Sequence, residues 1–131
     1  MWKYLVSNTP NLSKSGYEFK MIYSYEKRKE ETKRLKTKYP NKIPTIIEKS
    51  NTAMLQKMDK QKFLFDRELT VGQIIYLIRQ KIKLDPTQTI FLFVDNKTIP
   101  PTSVTIGEVY DKDADEDGFL YVTYCTEVVF G

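Results

Sequence analysis

Residues 117–131, at the end of the chain, have the sequence DGFLYVTYCTEVVFG. From Phe119 to Cys125 almost every side chain is aromatic, β-branched or apolar, which is typical of a β-strand. Successive side chains of a strand point to opposite faces, and both faces of this strand are largely apolar. Such a strand is buried on both sides, so we expect it to lie in the middle of a sheet. Residues 126–131 then leave the strand as a short tail that ends in Gly131.

The composition is that of a single globular domain of 131 residues. The chain contains no histidine, which removes the usual general base and the most common metal ligand. A small enzyme is therefore disfavoured, and we predict no catalytic residue, metal or cofactor. The net charge of +4 suits an acidic partner or an anionic surface, and we predict no nucleic-acid partner. One cysteine, Cys125, fits a reducing compartment.

A polar helix is predicted over residues 25–38, which ends before Pro40 because the residue preceding a proline avoids the helical conformation. Its sparse apolar stripe consists of Tyr25, Thr32, Leu35 and Tyr39. Glu30 and Arg34 are four residues apart and are expected to form an ion pair. The basic residues of this helix are interpreted as a solvated face: Lys27, Arg28, Lys33 and Arg34.

A second helix, over residues 70–83, is more strongly marked. Thr70 and Gln73 form a capping-box pattern at its start. Its apolar residues recur with helical spacing, and they are Val71, Ile74, Ile75, Ile78 and Ile82. The pattern also predicts further strands at residues 43–49, 62–65 and 89–95 and a short helix at residues 103–110.

This order of elements predicts an α+β fold with one mixed sheet and a helix packed across it. The arrangement is that of a ubiquitin-like β-grasp domain with an additional N-terminal helical segment. Residues 23–125 would form the domain, and residues 126–131 a flexible C-terminal tail. Residues 1–22 are predicted to be a partly flexible leader, which is disordered, packs on the domain, or inserts Trp2 and Leu5 into a membrane interface.

The short strand at residues 62–65 has the features of a sheet edge, with Lys60 and Lys62 beside its aromatic residues. An exposed edge can accept an extended peptide by strand addition. The pattern alone is equally consistent with an edge that binds no peptide, at which Phe63 and Leu64 only complete the hydrophobic core. Near the C-terminus, the acidic residues of 113–117 resemble the start of a calcium loop. Because a tyrosine stands where the loop needs its last glutamate, we interpret them as a solvated acidic turn.

Several fragments resemble the autophagy ubiquitin-like modifiers, the GABARAP and light-chain-three family, and their joint order extends the resemblance over residues 23–131. The fragments are YEKRK (25–29), KYPNKIP (38–44), IEK (47–49), LTVGQ (69–73), IPPT (99–102), DGFLYVTY (117–124) and FG (130–131). The resemblance implies a protein that is conjugated through a C-terminal glycine to phosphatidylethanolamine on autophagosomal membranes. Gly131 would be the conjugated residue, and Phe130 the aromatic residue recognised by the processing protease.

The implied partners are the activating and conjugating enzymes of the autophagy pathway, a deconjugating cysteine protease and proteins with an aromatic-x-x-aliphatic motif. The implied location is the cytoplasm and the autophagosome membrane. Two alternatives stay open: conjugation to protein lysines, and an unconjugated peptide-binding module. In each case the protein would not itself be an enzyme.

The resemblance also implies two pockets for the motif. The aromatic pocket would consist of Glu31, Leu35, Pro44, Ile46, Lys62, Leu64 and Phe119. The aliphatic pocket would consist of Phe63, Phe65, Leu69, Ile74 and Leu77. Acidic residues that flank the motif would meet Lys42, Lys60 and Lys62. The chain departs from the family pattern at Phe65-Asp66, where Val-Pro is usual, at Ser24, where proline is usual, and in its longer leader. The departure at Phe65-Asp66 predicts a shifted motif preference.

Overall fold

A computed structural model describes residues 17–50 and 55–126 of the chain. Within these ranges the chain forms four helices and four strands. They are, in order, α1 (Glu18–Ile22), α2 (Tyr25–Lys38), β1 (Lys42–Lys49), β2 (Lys62–Asp66), α3 (Val71–Ile82), β3 (Phe91–Val94), α4 (Ile106–Asp113) and β4 (Leu120–Cys125). The predicted elements are all present, with ends that differ by a few residues, and α1 is an addition that the sequence pattern did not predict.

The four strands of the described residues form one mixed sheet in the order β2-β1-β4-β3. The two central strands are parallel, and each pairs with an antiparallel edge strand. This topology confirms that the final strand is central and that the short strand at residue 62 is an edge. Pro44 precedes the first residue pair between β1 and β4, Thr45 with Leu120, so its missing N–H removes no hydrogen bond from the centre of the sheet.

One face of the sheet is covered by α3 and carries the main hydrophobic core. The capping box of Thr70 and Gln73 is present at the start of α3, as predicted. Four residues of that helix, Val71, Ile74, Ile78 and Ile82, are buried against the sheet. The sheet contributes Leu120, Val122 and Tyr124 of β4 to this cluster, since alternate residues of the strand face it.

The opposite face is covered by α1 and α2 and carries a smaller cluster of buried residues. It contains Tyr17, Leu35, Ile46, Phe119 and Tyr121, and Phe19 and Leu64 pack against it. The aromatic rings of Tyr17 and Tyr121 lie 4.8 Å apart. The last strand is thus buried on both of its faces, as its sequence predicts.

The short helix α1 is held to the sheet by a buried carboxylate. The backbone amides of Glu18 and Phe19 each donate to a carboxylate oxygen of Glu48 at 2.9 Å. These amides at the start of a helix have no partner within it, so the Glu48 carboxylate satisfies them. Of the three possibilities for the leader, residues 17–22 therefore pack on the domain. Residues 1–16 and 127–131, with Trp2, Leu5 and most of the predicted tail, lie outside the described residues.

The interpretation of residues 113–117 as a solvated turn is wrong for Asp117, and that of a solvated basic face is wrong for Arg28. Asp117 is fully buried, and its carboxylate forms an ion pair with the nearly buried Arg28 guanidinium. Tyr121 donates its hydroxyl to the same carboxylate at 2.5 Å. The partners are 89 residues apart in the sequence, so no local pattern connects them.

A close approach at Gly118 fixes the same loop against α2. The Thr32 hydroxyl donates to the carbonyl oxygen of Asp117 at 2.5 Å. Gly118 has φ +95°, and a Cβ atom there would lie 2.4 Å from the Thr32 hydroxyl oxygen. Both the conformation and the lack of space therefore require glycine.

Two expectations about α2 are corrected by the side-chain positions. Arg34 pairs with Glu31 at 3.0 Å rather than with Glu30. Tyr25 and Tyr39, which were assigned to the apolar stripe, are about 40% exposed because they lie at the two ends of the helix. Thr32 and Leu35 of the same stripe are buried as predicted.

Candidate functional site

The outer edge of β2 has no strand paired to it within the described residues. The amide of Ile47 donates to the carbonyl of Gln61 at 2.9 Å, which makes these two residues a hydrogen-bonded pair of the ladder. Antiparallel ladders alternate, so the backbone groups of Lys62 and Leu64, one and three residues further on, point away from β1. The N–H and C=O groups of these two residues are therefore directed to the open edge.

A cleft of about 900 Å³ opens between α1, α2 and the beginning of β2. Its walls are Phe19, Ile22, Tyr23, Lys27, Arg28, Glu30, Glu31, Arg34, Lys60, Gln61 and Lys62. The cleft lies beside the open edge, since Gln61 and Lys62 belong to both. Side chains of an added strand could therefore enter it.

The residues predicted for the aromatic pocket lie at this cleft or directly beneath it. Glu31 and Lys62 line the cleft, and their side chains form an ion pair at 2.6 Å across it. The apolar members form the small cluster below: Leu35, Ile46 and Phe119 are buried, and Leu64 packs against them. Pro44, the seventh member, is buried opposite Leu64 in the strand register.

The residues predicted for the aliphatic pocket belong to the other face of the sheet. Phe63, Phe65 and Ile74 are buried in the main core, and Leu69 and Leu77 pack against it partly exposed. The rings of Phe63 and Phe65 are stacked with centroids 5.4 Å apart. Neighbouring side chains of β2 thus join different clusters, Leu64 on the cleft side and the two phenylalanines on the other.

The three lysines predicted to meet acidic residues each have an interaction in this structure. Lys62 pairs with Glu31, and Lys42 pairs with Asp66 at 2.6 Å. The Lys60 ammonium lies 5.3 Å from the centre of the Phe63 ring. An acidic ligand would therefore have to compete with the carboxylates of Glu31 and Asp66 for two of these lysines.

Two glutamates at this face have pKa values shifted in opposite directions. The hydrogen bond from Lys62 lowers the pKa of the Glu31 carboxyl below its ordinary value of 4.5. Burial raises the pKa of the Glu48 carboxyl above that value, although the amides of Phe19 and Glu18 oppose the shift. Glu31 is therefore held in its charged form, whereas the charged form of Glu48 is disfavoured.

The contribution of α1 to the cleft is not among the features predicted from the sequence. Phe19, Ile22 and Tyr23 line it; Phe19 and Ile22 fall in the segment interpreted as a leader, and Tyr23 is the residue that follows it. The signal that would have found them is their spacing of three and four residues, which places them on one side of a helix. The rings of Phe19 and Tyr23 are 4.9 Å apart.

Phe130 and Gly131, the residues predicted for processing and conjugation, lie outside the described residues. The described chain ends at Thr126, one residue beyond the last residue of β4. No helix within residues 17–50 and 55–126 has both the length and the apolar character that a passage through a bilayer requires.

Comparison with known proteins gives consistent matches in sequence and structure. The family model described as "Autophagy protein Atg8 ubiquitin like" matches residues 27–131. Autophagy-related protein 8e of Arabidopsis thaliana is 48% identical over 116 residues, which cover 88% of this chain and 94% of that protein. Autophagy-related protein 8 of Schizosaccharomyces pombe is 46% identical over 114 residues, 87% of this chain and 93% of that protein. The crystal structure of Trypanosoma brucei ATG8 superposes with a TM-score of 0.81 at 32% identity, covering 89% of this chain and all of that one.

Proposed function

The chain belongs to the Atg8 family of ubiquitin-like autophagy proteins, and from this premise we propose that it is a membrane-conjugated adaptor. In this proposal Gly131 is joined to phosphatidylethanolamine on autophagosomal membranes, and β2 binds aromatic-x-x-aliphatic segments of other proteins. The family assignment confirms the resemblance found in the sequence, and the mixed sheet with its helices confirms the ubiquitin-like α+β fold.

Conjugation needs an activated carboxylate at the C-terminus. The Gly131 carboxylate would be adenylated, transferred to an enzyme cysteine as a thioester, and then attacked by the lipid amine with release of the thiol. Glycine suits this chemistry because the absence of a Cβ leaves its carbonyl unhindered. Phe130 would be read by the cysteine protease that processes and deconjugates the protein. The activating and conjugating enzymes would supply the catalysis, and the protein would move from the cytoplasm to the autophagosome membrane.

The observation that carries the docking proposal is the outward direction of the Lys62 and Leu64 backbone groups. An extended peptide added there gains main-chain hydrogen bonds, and pockets beside the strand select its side chains. An aromatic side chain would enter the cleft above Leu35 and Phe119, displacing the Glu31–Lys62 ion pair. An aliphatic side chain would reach the partly exposed Leu69 and Leu77 on the other side of β2.

The unusual Phe65-Asp66 pair supports a motif preference that differs from that of the family pattern. Phe65 fills space in the predicted aliphatic pocket, and the exposed Asp66 already forms an ion pair with Lys42. We therefore expect smaller aliphatic residues and fewer acids near this end of the motif. A peptide array in which the full chain gives the same profile as a Phe65→Val/Asp66→Pro variant would contradict this expectation.

Docking is tested by calorimetric titration of a peptide with acidic residues before a Phe-x-x-Leu core. The Lys62→Glu/Leu64→Ala variant should show no measurable binding, because it reverses one charge and removes apolar surface at the open edge. The matched control is Lys97→Glu/Ile99→Ala, which makes the same kinds of change at exposed positions after β3, the other edge of the sheet. Retained affinity in the first variant, with both variants folded, would refute the pocket assignment.

Conjugation is tested by mass spectrometry of the C-terminal peptide isolated from cells. The expected mass is that of residue 131 linked to phosphatidylethanolamine, and deletion of Gly131 should abolish membrane association. A linkage to a lysine would support the protein-modifier alternative. Membrane association that survives the deletion would show that conjugation is not the mechanism.

A further inference from the structure

Residues 1–16 have the sequence MWKYLVSNTPNLSKSG. In residues 2–5, Trp2 and Leu5 are an aromatic and an aliphatic residue separated by two others. This is the spacing that the proposed docking site selects. We propose that residues 2–5 are an internal ligand, which docks along the edge of β2 in the same molecule and competes with partner motifs. This inference rests on the docking part of the proposed function.

The position of α1 places the attachment point of the leader near the start of the site. Glu18, the second described residue, accepts a hydrogen bond from the side chain of Gln61 at 3.4 Å and pairs with Lys57 at 3.1 Å. Gln61 immediately precedes β2. Tyr17, the residue to which the leader is attached, is therefore adjacent in sequence to a residue that contacts the start of the open edge.

The connecting segment has the length that such docking needs. Residues 6–16 span at most about 36 Å when extended, and about 18 Å on average as a flexible chain. The five residues of β2 extend over about 17 Å. The average span of the connection thus matches the length of the edge, a condition under which a tethered ligand reaches its highest effective concentration.

The cleft offers an environment that fits a tryptophan side chain. Phe19, Ile22 and Tyr23 form an apolar wall on α1, and the volume of about 900 Å³ exceeds that of one aromatic ring system. Glu30 and Glu31 stand on the opposite wall. Their charge is opposite to that of residues 1–16, whose charged side chains are Lys3 and Lys14.

The internal ligand differs in charge from the partner motifs that are preceded by acidic residues. Residues 1–16 contain two lysines and no acidic residue, so Lys60 and Lys62 do not attract them. A motif preceded by acids is attracted by these lysines and displaces the leader. With an effective concentration of about 1 mM and an intrinsic Kd of about 0.1 mM, the leader would weaken partner binding about tenfold. The leader weakens every motif by the same factor, so the motifs that displace it are those with a high affinity of their own, such as motifs preceded by acids.

The test uses the fact that Trp2 is the only tryptophan of the chain. Its fluorescence emission should be blue-shifted in the full chain, because the indole is shielded from water. An acidic Phe-x-x-Leu peptide, which contains no tryptophan, should shift the emission to the red as it saturates the site. The Leu64→Ala variant, which removes apolar surface from the open edge without adding a negative charge that would attract the basic leader, should show the red-shifted emission without peptide.

Calorimetry with the same peptide completes the test. Trp2→Ala/Leu5→Ala should bind the peptide about tenfold more tightly than the full chain. The matched control, Tyr4→Ala/Val6→Ala, removes similar side chains from the leader but keeps the Trp2 and Leu5 spacing, and it should bind like the full chain. The inference would be overturned by red-shifted Trp2 emission in the free protein together with equal peptide affinities in the full chain and the two leader variants. That result would leave the proposed docking of partner motifs intact.

Other outcomes also decide the matter. No peptide binding to any of the proteins would refute the proposed function itself. A blue shift that appears only at high protein concentration would mean docking on a second copy. A blue shift that appears only with phosphatidylethanolamine-containing vesicles would mean membrane insertion. Either result would overturn docking within one molecule.

Discussion

The two faces of the sheet are held by different kinds of contact. Among the described residues, the α3 face buries a cluster of seventeen apolar or aromatic residues, whereas the α1 and α2 face buries five. The smaller cluster is supplemented by polar contacts: Arg28 with Asp117, and Glu48 with the amides of α1. The candidate cleft lies on this second face. The comparison indicates that the helices forming the site are positioned by a few directional contacts rather than by extensive apolar packing.

The largest change in the free energy of unfolding should come from breaking the buried ion pair between Arg28 and Asp117. Asp117→Asn removes the negative charge and leaves the Arg28 guanidinium buried without its partner. Loss of one member of such a pair costs about 3–5 kcal/mol of unfolding free energy. Denaturant unfolding of the two proteins measures this difference. Because α2 carries Glu31 and Leu35, affinity for the motif peptide should also fall.

The control for that variant is Asp111→Asn, at an acidic residue whose pairing with Arg67 is largely exposed. Its stability should change by less than about 1 kcal/mol, because water screens the pair. Equal costs for the two substitutions would mean that the buried pair does not position α2, and the contrast between the faces would fail.

A smaller change in the free energy of unfolding is expected from a conservative substitution in the core on the α3 face. Ile78 is fully buried on α3, and Ile78→Val removes one methylene group from the main core. Such a deletion costs about 0.5–1.5 kcal/mol. The unfolding free energy should fall by that amount while peptide affinity remains unchanged, since no polar contact of the site is involved. A loss of affinity would show that the two faces are coupled through the sheet.

The acid titration of Glu31 and Glu48 tests the polar contacts directly. Carboxyl NMR should give a pKa below 4.5 for Glu31 and above 4.5 for Glu48. The folded protein binds the Glu48 proton more tightly than the unfolded one, so this group favours the folded state more as the pH falls through its raised pKa. Glu31 acts in the opposite sense: its stabilising contribution is present above its ordinary pKa and is lost as the pH falls through the lowered one.

The Lys62→Ala variant supplies the control for this titration. It should move the pKa of Glu31 back towards its ordinary value, because the main cause of the shift is removed. The pKa of Glu48 should remain where it is, since Glu48 faces Glu18, Lys57 and the α1 amides instead. A parallel shift of both groups would contradict the assignment of separate causes.

Sequence reasoning predicted the elements whose side chains repeat with a regular period. The helix around Ile74 and Ile78 and the strand around Tyr121 are periodic over several residues, so their faces could be assigned before the structure was known. The edge position of β2 followed from its short length and its lysines. These features depend on neighbours in the chain, which a sequence displays directly.

Contacts between distant segments could not be predicted in the same way. Glu48 and α1 are separated by about thirty residues, and Arg28 and Asp117 by 89. Each of these charged residues fits a solvated surface when its own segment is considered alone. These charged residues become buried and paired only when α1 and α2 pack on the same face of the sheet. The wall that α1 contributes to the cleft escaped prediction, whereas the edge beside it did not.

The smallest effect on stability should come from Asp66→Asn at the exposed end of β2. Lys42 and Asp66 are 39% and 67% exposed, so their ion pair contributes little to the fold, and the unfolding free energy should change by less than about 1 kcal/mol. The effect on binding should be larger than the effect on stability. Lys42 loses its competing carboxylate, and a motif peptide with an acidic residue near this end of β2 should bind about two- to threefold more tightly at low salt. The same peptide with a neutral residue at that position is the control and should bind equally to both proteins. A gain for both peptides would mean that Asp66 acts by occupying space beside the pocket rather than by its charge.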